Sequence, residues 1–272
     1  MPPVDRTIRH VPFPCMALPK RKVPPPREWV GDQRKQPWSE LDRYDRASPA
    51  VDCVLFTITD GRLGVVVHRR LVEPEKGHWA LPGVFVNYGE SFAEAAHRAL
   101  KMKVGFERDL DLHQVGIDNQ PYRDERGWVI TVTLVGLFPA NELEARLDRA
   151  QRAVAAVPVS APAGYDIAEQ VKIELPDPSQ VALALGHNRL VGLGLEWLRH
   201  QIYVSDEALD LMPETFTLRQ LQDLFETILG DKVNKDSFRR SVTKSRALVE
   251  PTGIHTPVLG RIAAELYRRA GD

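Results

Sequence analysis

Between residues 50 and 70 the apolar positions fall in two β-branched runs, AVDCVLFTIT and RLGVVVHRR, joined by Asp60-Gly61. An Asp-Gly pair supplies the two positive-φ positions of a tight two-residue turn, so the pattern predicts a β-hairpin. Further along, LHQVGIDNQ and GWVITVTLVGLFP show the near-alternation of Val, Thr and Leu expected of strands. Between the two pairs lies SFAEAAHRALKMKVG, with helical spacing, entered through Gly89-Glu90 and left through Gly105. From residue 141 the chain turns Ala-rich and polar: NELEARLDRAQR fits a short helix and PVSAPAG a loop. PSQVALALGHNRLVGLGLEWLRHQIY then sets Leu183, Leu190, Leu193, Leu195 and Leu198 at helix-compatible intervals. Its second half predicts a helix leading out of a first domain, with a boundary near residue 200.

The remaining third has a different pattern. PETFTLRQLQDLFETILG offers Thr217 as N-cap, Leu218, Leu221, Phe225, Ile228 and Leu229 on one face, and Gly230 as C-cap. After the short GDKVN, Asn234 caps a second helix in which Phe238 and Val242 face inward, flanked by Ser241 and Ser245. A rotation of about 100° per residue turns Asp236, Arg239, Arg240, Thr243 and Lys244 to the other side. LVEPTGIHTPVLGRIAAELYRR supplies a strand, a Gly/Pro loop and a final strand, the outline of a wing. Two helices joined by a short turn, the second arginine-rich on its outer face, make a helix-turn-helix pattern. A packing pair with a solvated basic face is the plain alternative, but helix order, charge localisation and wing occur together.

Charge sharpens that reading. The formal net charge is -1, which excludes a uniformly basic nucleic-acid binder. Yet Lys232, Lys235, Arg239, Arg240, Lys244 and Arg246 cluster against the single acid Asp236, just after the acidic SDEALDLMPE. Residues 1–49 hold ten of the 21 prolines and few apolar side chains, so a disordered tail is expected there. Its KRK at 20–22 reads as a solvated linker before it reads as a DNA contact. The two cysteines, Cys15 and Cys53, support neither a disulfide framework nor a zinc cluster. No apolar run reaches the roughly 20 residues of a membrane helix, and the proline-rich start lacks a secretory signal core. A cytoplasmic protein without a cofactor is the expectation.

The helix after Gly89 carries the chemistry. From Val84 onward the spacing fits a box of glycine, five residues, glutamate, seven residues, then Arg-Glu-aliphatic-x-Glu-Glu-x-Gly-aliphatic: Glu90, Arg98, Leu100, Gly105 and Phe106 match, after a preceding WALPG. With RLGVVVHRR and YRDERGWVITVTLVGLF around it, the stretch resembles a Nudix domain over about 120 residues. In that family three glutamates of the helix share one face and hold hard cations such as magnesium. Here those positions carry Ala99, Met102 and Lys103, taken as solvent-facing, and the first glycine is Val84. An ammonium repels a metal ion instead of holding it. The fold is expected to persist and pyrophosphate hydrolysis to be lost.

Together the two halves resemble the Nudix-related transcriptional regulators, from about Val51 to Arg269; FTLRQLQDLFETILGDKVNKDSFRR and LVEPTG look especially like that family. The resemblance implies an α+β chain: a Nudix-like α/β/α sandwich with a mixed sheet over 50–200 for ligand sensing and dimerisation, then a winged helix-turn-helix domain over 201–272. It also implies a homodimeric repressor of NAD-metabolism genes on a palindromic operator, released by ADP-ribose or a related nucleotide. Arg239 and Arg240 are the candidate base readers, while Lys235, Lys244 and Arg246 are candidate phosphate contacts. Thr243 shares their face, and His255 and Arg261 could serve in the wing. Arg69, Arg70, Trp79, Phe85 and Glu90 are the candidate effector residues, since an arginine suits pyrophosphate and an aromatic suits adenine. Core packing for Trp79 and helix capping for Glu90 are the plain alternatives. The rivals are a hydrolase with rearranged ligands such as Glu90 and Glu94, and a regulator sensing a sugar-derived ligand.

Overall fold

The Asp60-Gly61 pair turns the chain as its composition requires: both residues have positive φ, 49° and 69°, and they join β1 (Ser48–Thr59) to β2 (Arg62–Arg69) with Thr59 opposite Arg62. The structure is a computed structural model, and it describes residues 45–106, 110–139, 153–164, 167–256 and 263–271. Residues 1–44 of the expected disordered tail, the short helix expected after residue 140 and Arg261 lie outside the described residues, while Ser48 and Pro49, expected in the tail, already belong to β1.

After the hairpin come β3 (Trp79–Ala80), β4 (Gly83–Phe85), α1 (Phe92–Val104), β5 (His113–Asp118), β6 (Val129–Leu137), β7 (Val154–Ser160) and β8 (Lys172–Ile173). They form one sheet in the order β5-β6-β1-β2-β7-β8, with β3 on β2 and β4 on β1. The β1–β6 pairing is parallel and the others antiparallel, so the sheet is mixed as expected. Period-two alternation divides β1 between two layers. Val51, Cys53 and Leu55 pack with α1, while Val54 and Phe56 pack beneath α2 (His187–Val204). Residue 200 therefore falls inside a helix. The segment expected as a loop is in part a strand: Val157 and Val159 alternate into the core, β7 pairs with β2, and only 161–164 leaves the sheet.

α2 lies unusually close to its neighbours. A Cβ on Gly192 would come within 2.3 Å of the Ala168 Cα, and one on Gly194 within 3.1 Å of Val54 and Val135 side-chain atoms. Glu196 holds that contact by accepting from the backbone N–H groups of Ile167 at 2.6 Å and Ala168 at 3.1 Å. One turn on, the buried Arg199 donates to the carbonyls of Ala161, Pro162 and Gly164, and to that of Ile228 on the next helix.

That next helix is α3 (Leu218–Leu229), reached through the two-residue β9 (Phe216–Thr217). Then follow α4 (Lys235–Arg240), a π-helical turn Ser241–Ser245, β10 (Val249–Thr256) and β11 (Ala264–Arg269). β10, β11 and β9 make a separate three-stranded antiparallel sheet, confirming the two strands expected of a wing. Leu221, Leu224, Phe225, Ile228, Phe238 and Val242 join the core that begins under α2, so the apolar interior runs from the large sheet into the C-terminal elements without a break. Among the described residues no helix is long and apolar enough to cross a membrane.

Candidate functional site

α1 starts with a capping box: Ser91 Oγ accepts from the Glu94 N–H, and the Glu94 carboxylate accepts from the Ser91 N–H at 2.8 Å. It ends at Gly105 in the left-handed region, φ 72°. Its three box positions are not alike. Ala99 is fully buried among Ala95, Ala96 and Leu100 against the sheet, whereas Met102 is 65 % exposed and Lys103 half-buried. The expectation that all three face solvent is therefore corrected for Ala99. A methyl group fits either a surface or a core, and here the apolar stripe at 95, 96, 99, 100 and 104 turns it inward.

Glu90 forms a two-pronged ion pair with Arg98, Nε to Oε1 at 2.7 Å and Nη2 to Oε2 at 2.8 Å. It also accepts from the Asn87 N–H at 2.8 Å. The Arg98 hydrogen bonds, with the Asn87 N–H, pull its pKa down to about 2. Both glutamates offered as rearranged ligands are thus engaged, Glu90 by arginine and Glu94 by the helix cap. With Ala99, Met102 and Lys103 beside them, the donor set does not fit magnesium, and among the described residues no group of three or more His, Cys, Asp or Glu could hold a metal ion.

Of the five candidate effector residues, the structure gathers three. Arg98 Nη2 donates to the Phe85 carbonyl at 2.8 Å, which ties Glu90 to β4, and the 40 %-exposed Phe85 ring lies under Arg126 at 4.9 Å. Arg126 is held by Asp124 at 2.6 Å. Burial and the nearby Arg126 guanidinium depress the pKa of Arg70, whose Nε donates to Pro74 O at 2.7 Å. Arg69 and Trp79 form a separate contact, guanidinium over indole at 5.6 Å, with Asp177 3.7 Å from Arg69. Trp79 is 5 % exposed within the α2-side core, so the capacity to stack on a base is corrected to core packing.

Sequence reasoning missed a buried polar network beside this group. Arg123 donates to Thr131 Oγ1 at 2.7 Å and to Leu185 O at 3.2 Å, and lies 3.1 Å from Asp118. His187 at the start of α2 accepts the Leu81 N–H at Nδ1 and stands 3.6 Å from Asp52. Burial lowers its pKa, consistent with a neutral ring accepting at Nδ1. The available signal was YRDERGW, whose two arginines three apart sit among acids next to a strand.

The second site is built on α3 and α4. Thr217 and Gln220 make a reciprocal cap on α3, and Gly230 ends it at φ 71°. Asn234 Oδ1 accepts the Ser237 N–H at 3.0 Å, and Phe238 meets the Phe225 ring edge-on at 5.3 Å. With that face buried, Lys235, Arg239, Arg240 and Lys244 are exposed, and His255 is exposed on β10. Arg239 also reaches the Tyr267 phenol of β11. The half-buried Thr243 donates its hydroxyl to Arg239 O at 2.8 Å. Arg246 is a correction: its guanidinium donates to the Ile202 and Ser205 carbonyls at the end of α2, and burial lowers its pKa. It closes the C-terminus of α2, where carbonyls lack partners, and is not a free phosphate contact.

Comparison with known proteins separates the same two parts. The NUDIX domain family model matches residues 47–166, and that of the NrtR DNA-binding winged helix domain matches 208–268, together about two thirds of the chain. The ADPR-responsive transcriptional repressor NtrR of Acinetobacter baylyi is 29 % identical over 236 residues, covering 85 % of this chain and 86 % of that protein. An ADP-ribose pyrophosphatase of Methanocaldococcus jannaschii is 35 % identical over 81 residues, 30 % of this chain and 47 % of its own. Among solved structures, Shewanella oneidensis NrtR in complex with a 27mer DNA superposes with a TM-score of 0.63 at 28 % identity, over 81 % of this chain and 92 % of that one. The chain therefore joins a Nudix domain, with its mixed sheet and α1, to an NrtR-type DNA-binding winged helix domain, and it is similar over most of its length to the NrtR transcriptional regulators.

Proposed function

We propose that the protein is a DNA-binding transcriptional repressor of NAD-metabolism genes, with ADP-ribose or a related nucleotide as the signal that releases it. The observation that carries this reading is the pairing of the two sites in one chain: an exposed cationic helix face on a winged helix, and a Nudix helix whose carboxylates are replaced or already engaged. The relative from Acinetobacter baylyi responds to ADP-ribose, and the Shewanella protein binds DNA. Arg126 over the Phe85 ring, with Arg70 near Arg126, suits a pyrophosphate and an adjoining ring. In this reading α4 enters the major groove of a palindromic operator as part of a homodimer, with half-sites about one helical turn, roughly 10 bp, apart. The direct test is release of the protein from its own upstream DNA by a panel of ADP-ribose, NAD and sugar phosphates. Release by a sugar phosphate alone would transfer the sensor to another ligand class.

Arg240→Ala is expected to cost about 1–3 kcal/mol of operator affinity and relax preference at one base pair, as loss of a bidentate guanine contact does. Arg239→Ala carries the same expectation, reduced to the extent that its guanidinium is occupied by Tyr267. Lys244→Ala should instead weaken operator and scrambled DNA alike and lower the salt slope by about one. Affinities at several salt concentrations, with melting as a folding control, separate the two classes; parental binding by all three variants would leave the basic face merely solvated. A second expectation concerns chemistry: no turnover of ADP-ribose in excess magnesium or manganese. Phosphate-ester release at even about 1 per second would contradict it.

A further inference from the structure

The short 3-10 helix Glu207–Leu211 follows α2 and is fixed to the large sheet. It buries Ala208, Leu209 and Leu211 against β1, β6 and α2, and Glu207 comes within 3.8 Å of His113 on β5. Asp206 and Asp210 of the same stretch are instead engaged by the winged helix. Arg269, the last residue of β11, donates Nε to Asp206 at 2.8 Å and Nη1 to Asp210 at 2.6 Å, across 63 and 59 residues of chain. These bonds hold the Asp206 carboxyl below its ordinary range. The clasp lies two backbone bonds from α4. Ala270, next to Arg269, donates its N–H to Leu248 O at 2.9 Å, and Leu248 donates its own to Val242 O at 2.7 Å, in the turn that continues α4. Arg246, between Val242 and Leu248, donates to the Ile202 and Ser205 carbonyls. One arginine after α4 and one at the end of the wing therefore grip the same stretch, 202–210. The apolar core shared by the two parts holds them together without a preferred direction. A planar guanidinium fork, by contrast, binds only where its acceptors lie.

We propose that Arg269, through Asp206 and Asp210, is a positioning residue that fixes the angle of α4 on the large sheet and so sets the half-site spacing the protein accepts on DNA. This rests on the reading of the protein as a dimer that binds a palindromic operator. The three side chains are 30–45 % exposed, and ion pairs of that kind add little to folding stability. Their loss should be felt in geometry before it is felt in melting. One base pair added between half-sites moves them apart by about 3.4 Å and turns one against the other by about 35°. Two helices held at a set angle resist that shift, whereas two loosened ones can follow it.

Anisotropy titrations of the full-length protein test this on its own upstream operator, on the same DNA with one base pair added or removed between the half-sites, and on DNA with one half-site scrambled. The parent should lose about tenfold or more in affinity when the spacing changes. Arg269→Gln should reduce that penalty to about threefold or less, while binding the single half-site within about twofold of the parent. Asp206→Asn combined with Asp210→Asn should do the same although it shifts the net charge the other way, so a common result cannot come from bulk attraction to DNA. Adding Arg269→Gln to that pair should change nothing further, as expected of groups acting through one contact. A Arg269→Gln protein that keeps the parent's spacing penalty overturns the proposal. So does one that loses half-site and operator binding alike or melts well below the parent, since the clasp would then serve folding alone. A parent that binds but ignores spacing removes the proposal and leaves DNA binding standing; a parent that binds no operator removes both.

Discussion

Replacing Arg199 with methionine is expected to lower stability by about 3 to 5 kcal/mol, because several buried carbonyls lose a charged donor at once and each such loss costs about 1 to 3 kcal/mol, not fully additively. The guanidinium is 2 % exposed and bonds Ala161, Pro162, Gly164 and Ile228 carbonyls, so methionine keeps the apolar stem and removes only the donors. Gly230 stands close by, where an added Cβ would sit 3.1 Å from Arg199 Nη2 and 2.8 Å from Ala161 O, so the pocket has no room for a shifted partner. For a chain of this size each kcal/mol moves the melting temperature by roughly 2–4 °C, which makes the loss readily measured by calorimetry. Arg199→Lys should fall between, since a compact ammonium cannot span carbonyls placed for a planar fork. A methionine variant that melts within a degree of the parent would show that the carbonyls find water. Operator affinity should fall with stability, because Ile228 belongs to α3, against which α4 packs.

The second large effect sets two forces against each other at Gly192. Helix propensity alone favours Gly192→Ala by about 1 kcal/mol. Packing opposes it: the new Cβ would lie 2.3 Å from the Ala168 Cα and 2.5 Å from its carbonyl oxygen, both backbone atoms. That backbone cannot recede without breaking the hydrogen bonds from Ile167 and Ala168 to Glu196. Overpacking of this kind costs about 1 to 3 kcal/mol or more, so the variant should be destabilised on balance. Gly194→Ala is the internal comparison. Its Cβ meets only side-chain atoms of Val54, Phe56 and Val135 at 3.1–3.2 Å, which can yield by small rotations, so its loss should be the lesser. Thermal melting of both decides: a Gly192→Ala protein more stable than its parent would mean that α2 can lift from Ala168.

The elements easiest to recognise from sequence are those whose cause is local. Asp60-Gly61, the Thr217–Gln220 cap, Gly230 and Asn234 each act within a few residues, and each is found where its chemistry places it. The spacing around α1 and the order of helices and wing strands were legible for the same reason, since caps and periodicity need no knowledge of partners. What escaped depends on partners distant in sequence. Ala99 reads alike on a surface or in a core until the sheet beneath it is known. Arg246 and Lys244 look interchangeable as cations, yet one meets carbonyls 41 to 44 residues back and the other meets solvent. Trp79 offered an aromatic face, but β2 and β3 bring Arg69 over it within the core layer. The polar group of Arg123, Asp118, Asp52 and His187 joins three segments far apart in the chain, and no window of sequence contains it.

α2 touches both ends of the molecule's working parts. Its first residue, His187, accepts from the Leu81 N–H just past β3, and its last turn supplies the carbonyls that receive Arg246 from beyond α4. A helix is a ruler with a fixed phase: one residue more or less between His187 and Ile202 would advance the far end by about 1.5 Å and turn it by about 100°. Arg199 would then face away from Ile228, and the carbonyl that receives Arg246 would be swung aside. Loops elsewhere can lengthen with little penalty, but this helix has one permissible length. Whatever adjusts the protein to a new operator or a new effector must therefore do so by exchanging side chains at its two ends, never by changing the span between them.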